Sequence, residues 1–137
     1  MVYYLVTKNK TELSPELAGA AVVEALKKSE GGAWKGSALP RSPEDLSILR
    51  SEFQIISWSD GKSYQYPKWQ FKRSSGGFLP GIREVLQIFK SADEWRVMRY
   101  FLDPRELLEG RPLDMLRAGR VDEVLAHARI HFMANTW

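Results

Sequence analysis

From residue 79 onward, apolar positions recur every three or four residues: Leu79, Ile82, Leu86 and Phe89, then Trp95, Met98 and Phe101-Leu102, then Leu113 and Leu116, then Val124, Leu125, Ala128 and Phe132. That period belongs to helices. Punctuation divides the run. Ser91-Ala92-Asp93-Glu94 reads as a capping box, serine at the cap and glutamate three residues on, and Pro104 stops the helix it opens. Arg111-Pro112 starts a short helix that Gly119 ends, and the last helix runs from Val121 to about Phe132.

The first half is mixed. Residues 2–6 (Val-Tyr-Tyr-Leu-Val) read as a short strand. Ser14-Pro15 starts a helix with Leu17, Ala21 and Ala25 on one face, ending near Lys28. Gly31-Gly32 and Gly36 mark a loop around Trp34. Ser42-Pro43-Glu44-Asp45 starts a second helix, with acids at the positive end of its dipole and Leu46, Leu49 and Phe53 as its apolar face. Gln54–Trp58 and Ser63–Tyr66 flank Ser59-Asp60-Gly61-Lys62, a hairpin signal, and Pro67 ends the second strand or places it at an edge. The expectation is a mainly α chain with a small β-hairpin, an α+β fold. A boundary near Ser74-Ser75-Gly76-Gly77 separates residues 1–74 from a helical module at 75–137. No internal repeat or low-complexity segment appears.

Composition narrows the class. A chain of 137 residues with 44% hydrophobic residues suits one compact domain, or one domain with a small N-terminal extension. The absence of cysteine removes disulfides, thiol nucleophiles and thiolate metal sites. The N-terminus lacks the apolar core of a signal peptide, and no stretch reaches the ~18 apolar residues of a membrane span, so a cytoplasmic protein is expected. The net charge of +3 lies in the first half, where residues 1–74 carry 11 Lys+Arg against 8 Asp+Glu; residues 75–137 carry 9 against 9. That balance favours protein contact over phosphate tracking in the second half. The five tryptophans read as core filler.

Chemical motifs are few. His127 and His131 stand four apart on one helix, yet Ala128-Arg129-Ile130 between them supplies no glutamate and adds a cation, so no metal is expected. Asp93-Glu94 and Asp122-Glu123 sit at helix starts, where the dipole accounts for them. There is no glycine-rich phosphate loop, no nucleophile elbow and no convergent nucleophile–base set, so neither an enzyme nor a cofactor is expected. Residues 14–71 are compatible with a degenerate winged helix-turn-helix, but its recognition helix, 43–52, has Glu44, Asp45 and Glu52 against Arg50, net −2. Lys62, Lys68, Lys72 and Arg73 around the hairpin are possible phosphate contacts, which keeps a DNA-binding autoregulator as the alternative reading.

One ordered set of residues is more specific. Tyr66-Pro67-Lys68-Trp69-Gln70-Phe71 precedes Leu79-Pro80-Gly81-Ile82; then come Trp95, Phe101-Leu102, Leu107, Gly110-Arg111-Pro112-Leu113-Asp114, Leu116, Gly119, Val124 and Ala128. Over about residues 55–131 this resembles the toxin-binding domain of Xre/MbcA/ParS antitoxins. Gly110 would permit a backbone reversal, Pro112 pre-set a helical φ and Gly119 supply a left-handed stop. The resemblance implies a bacterial type II toxin–antitoxin system. It also implies a RES-domain toxin as partner, one that consumes NAD+ or transfers ADP-ribose, with the antitoxin covering its active site. On that reading Arg117, Arg120 and Arg129 would pair with partner carboxylates, and Phe132 and the terminal Trp137 would anchor the contact. A homodimer is a further possibility, since a partner-binding face left bare is an exposed apolar patch.

Overall fold

The computed structural model describes residues 15–73, 76–91 and 93–134, with backbone alone at 15–18, 133 and 134. Among these residues, helices dominate and a three-stranded antiparallel sheet completes an α+β fold. The strand expected at 2–6 and the serine cap at 14 lie outside the described residues.

Helix α1 (Pro15–Lys28) occupies its expected place but packs on a different face. Ala21 and Ala25 are exposed, while Leu26 is buried. A leucine removes far more apolar area from water than an alanine methyl, so it sets the docked face. The stretch around Trp34, expected to be a loop, contains strand β1 (Ala33–Lys35). Helix α2 (Pro43–Ser51) starts as the sequence predicts: Ser42 Oγ accepts from the Asp45 N–H at 3.1 Å. It ends before Phe53, whose φ of +55° turns the chain back.

The hairpin is shorter than expected. Strand β2 is Trp58–Ser59 and strand β3 is Tyr64–Pro67. Their turn is built by Asp60, whose Oδ1 accepts from the N–H groups of Lys62 and Ser63, with Gly61 at φ +93°. Residues 54–57 do not form a strand because a side chain takes the ladder's place. The Gln70 amide accepts from the Ile56 N–H at 2.8 Å and donates to the Ile56 carbonyl at 2.8 Å. Nor is β3 an edge: the order is β1-β3-β2. Pro67 is tolerated as the last residue of this central strand, opposite Ala33 of β1 and beyond the reach of β2.

Helix α3 (Ile82–Phe89) buries Ile82, Val85, Leu86 and Phe89. Helix α4 (Glu94–Leu102) is capped by Asp93, which accepts from the Arg96 N–H at 3.2 Å; Ser91, the expected cap, instead accepts from the Asp93 N–H. Helix α5 (Pro112–Arg117) stops as predicted, with Gly119 at φ +82°. The Gly119 N–H reaches the Leu116 carbonyl, and the Arg120 N–H reaches that of Met115. The reversal assigned to Gly110 belongs to Glu109, at φ +62°. Helix α6 (Val121–Ala134) lies along α3, and α1 lies along α4.

The main core draws on both sides of the 74–77 segment. Leu26, Ile56, Trp58 and Trp69 join Ile82, Met98, Phe101, Leu113, Val124 and Ala128 in one cluster. A smaller cluster of Leu39, Leu46, Ile55, Tyr66 and Phe71 seats α2 on the sheet. Helices α1 and α2 are separated by β1 and two 3-10 turns, not by the short turn that joins the helices of a helix-turn-helix.

Candidate partner-binding surface

Most residues that carry the resemblance are interior. Tyr66, Pro67, Gln70, Pro112, Leu113, Leu116, Val124 and Ala128 are almost wholly buried, with Trp69 and Phe71 close behind. Trp95 is half-buried against Trp58, ring centres 5.8 Å apart. These side chains make the fold. Leu107 is different: it sits in a 3-10 turn at Glu106–Leu108 and is 76% exposed, while its neighbour Leu108 is buried.

That turn packs against α6, whose Ile130 is 61% exposed. Leu107 and Ile130 are the two most exposed large aliphatic side chains among the described residues. Beside Ile130, Arg129 is exposed and makes no ion pair among the described residues. Phe132 is half-buried, packed near Phe89 and Tyr100, with the Arg96 guanidinium 5.6 Å from its ring centre. Trp137 lies outside the described residues.

The other two arginines expected to face a partner are already engaged within the chain. Arg117 Nη1 donates to Glu30 Oε1 at 3.0 Å. Arg111 reaches the other Glu30 oxygen at 3.0 Å and grips Asp114 with two hydrogen bonds, at 2.8 and 2.9 Å. The hydrogen bond from Arg117 is the first cause holding the Glu30 carboxyl below its usual range, with Arg111 acting the same way against partial burial. Asp114 is lowered chiefly by Arg111. This network ties the turn after α1 to α5. Arg120 forms a two-pronged pair with Glu123 across the start of α6. Glu123 thus serves a side-chain partner as well as the helix dipole.

His127 and His131 turn inward. Their rings stack, centres 5.9 Å apart, beside Tyr100, whose hydroxyl is 2.8 Å from His127 Nδ1. Burial, helped by Arg105, lowers the pKa of both histidines; it raises that of Tyr100. One ring nitrogen of His127 is therefore committed to Tyr100. No group of three His, Asp or Glu side chains among the described residues is arranged to hold a metal ion. Burial also raises the carboxyl of Glu94, which Asp93 reinforces.

The four basic residues around the hairpin separate in space. Lys62 is in the exposed β2–β3 turn, while Lys68, Lys72 and Arg73 line one cleft with Arg117. Sequence reasoning did not associate Arg117 or Trp34 with them, because both reach the cleft through the tertiary fold. It quoted Gly81 without giving it a role; the residue sits at φ +96°, where an added Cβ would lie 2.6 Å from Leu116 Cδ2. Its setting in Leu-Pro-Gly-Ile ahead of a helical pattern was the available signal.

No helix among the described residues is long and apolar enough to cross a membrane. Compared with known proteins, the chain matches no family model, no curated protein and no solved structure.

Proposed function

We propose that this chain is the antitoxin of a bacterial type II toxin–antitoxin pair, a cytoplasmic protein that binds a RES-domain, NAD+-consuming or ADP-ribosylating toxin and covers its active site. The observation that carries the reading is Leu107. It belongs to the residue set resembling the antitoxin toxin-binding domain, yet 76% of it is exposed, so the fold does not account for it. An exposed leucine on a turn that packs against α6, together with an exposed aliphatic on that helix and an arginine without an ion pair among the described residues, has the chemistry of a protein contact: an apolar centre with a cation able to meet a carboxylate. On this reading the contact surface draws on Leu107, Arg129 and Ile130, while Phe132 packs inward on Phe89 and Tyr100. Arg117 and Arg120 support the module from within rather than reach the partner.

Co-expression with the product of an adjacent RES-like reading frame tests this. Leu107→Asp with Ile130→Asp should abolish protection and co-purification while the variant stays folded by circular dichroism. Full protection by a folded double variant removes this surface, and failure of the wild-type chain to associate removes the function. The DNA-binding alternative has weaker support, since Glu44 and Asp45 occupy the exposed start of α2. A gel-shift titration on the chain's own promoter across salt would detect it.

A further inference from the structure

Lys68, Lys72, Arg73 and Arg117 border a cleft of about 600 Å³ whose walls include Trp34 and Trp69. We infer that this cleft binds a nucleoside phosphate, its planar base against Trp34 and its phosphate oxygens held by Lys68, Lys72 and Arg73.

The charge balance is the first argument. One carboxylate, Glu30, lines the cleft, and it is already shared by Arg111 and Arg117. Lys68, Lys72 and Arg73 make no ion pair among the described residues. Cations of one sign gathered in a concavity with aromatic walls focus a positive potential there, which a polyanion relieves. The second argument is the placement of Trp34. It is half-buried, tilted against Phe71 with ring centres 5.9 Å apart, and Lys68 Nζ stands 5.4 Å from its ring centre. Lys68 Nζ lies over that ring, so a base stacking on the indole takes the place of the ammonium, which then turns to the phosphate oxygens.

Shape separates a small ligand from a duplex. The volume lies in the range of small-molecule sites, roughly 300–1,000 Å³. Lys62, which duplex tracking along the hairpin would recruit, does not line the cleft. Leu107, Arg129 and Ile130 do not line it either, so this inference stands independently of the toxin-binding reading.

The test is titration of the full chain with ATP at low salt, followed by calorimetry and tryptophan fluorescence. Pyrophosphate and a single-stranded oligonucleotide run in parallel. ATP should bind and quench fluorescence; pyrophosphate should bind more weakly and quench less. Lys72→Gln with Arg73→Gln, both exposed, should weaken ATP binding by roughly tenfold or more at an unchanged melting temperature. No heat or quench at millimolar ATP overturns the proposal, as does unchanged affinity in a folded double variant or equal affinity for pyrophosphate. Tighter binding of the oligonucleotide than of ATP overturns it in favour of a nucleic-acid groove.

Discussion

Gln70 shows how much a single side chain decides here. It is fully buried, and its amide makes three hydrogen bonds: two to the backbone of Ile56 and one, at 3.2 Å, to the Pro67 carbonyl. A primary amide can imitate a strand's N–H and C=O, and Gln70 does so for a segment with no neighbouring strand. Gln70→Leu keeps the bulk but strands the Ile56 N–H and carbonyl away from water. The expected loss is about 3 kcal/mol, read as a lower urea midpoint in chemical denaturation. A loss below about 0.5 kcal/mol would mean that water or a backbone shift satisfies Ile56 in the variant. Trp69 is the opposite case, a neighbouring buried donor left without an acceptor among the described residues.

At the scale of elements, the ends of the helices carry most of the local information, and four non-glycine residues there, Glu30, Phe53, Lys90 and Glu109, take a positive φ. Lys90 closes α3 at φ +44° and Glu109 closes the 106–108 turn at φ +62°. Both take the left-handed conformation that glycine adopts without a Cβ clash. Lys90→Gly and Glu109→Gly should each raise stability by up to about 1 kcal/mol, measured by thermal melts. Gly81→Ala should do the reverse: the new methyl would strike Leu116 and Val121 where α3 begins, at a φ of +96°. If the first two variants melt lower than wild type, something other than backbone conformation holds those turns.

Across the whole molecule, the inward histidines couple stability to pH. Burial and Arg105 depress the pKa of both, and His131 also faces the charges of His127 and Arg96. The unfolded chain therefore binds protons more readily than the folded one near pH 6. The histidine contribution is fully present above the unfolded value of about 6.5 and is lost as pH falls through the lower folded values. Glu30 and Asp114, also depressed, add losses of the same sign only in the more acidic carboxylate range. Glu94, raised by burial, works against them there. The melting temperature should therefore fall between pH 7 and pH 5, and His127→Gln with His131→Gln should flatten that slope. A slope unchanged in the double variant would place the effect elsewhere.

The candidate surface was only partly legible from the residues. That Arg129 faces outward follows from helical period alone. That Leu107 is bare while Leu108 is buried does not, because the two are adjacent and equally apolar. Arg117 and Arg120 read as available cations until their carboxylates are located. Glu30 lies 87 positions from Arg117 and is brought to it only by packing of the turn after α1 near α5.

By itself the sequence determined what local chemistry determines. Helical period placed the buried faces of α3, α4, α5 and α6, Ser42-Pro43 placed the start of α2, Asp60-Gly61 placed the hairpin turn and Gly119 placed the stop of α5. Each of these rests on hydrogen bonds or rotamers within a few residues. Tertiary structure decided the rest: that Trp34 joins a sheet, that Gln70 stands in for a strand, that one core spans both halves, and that four cations share a cleft. Each of those rests on groups far apart in the chain, whose pairing is worth its ordering entropy only once the rest of the core has brought them together.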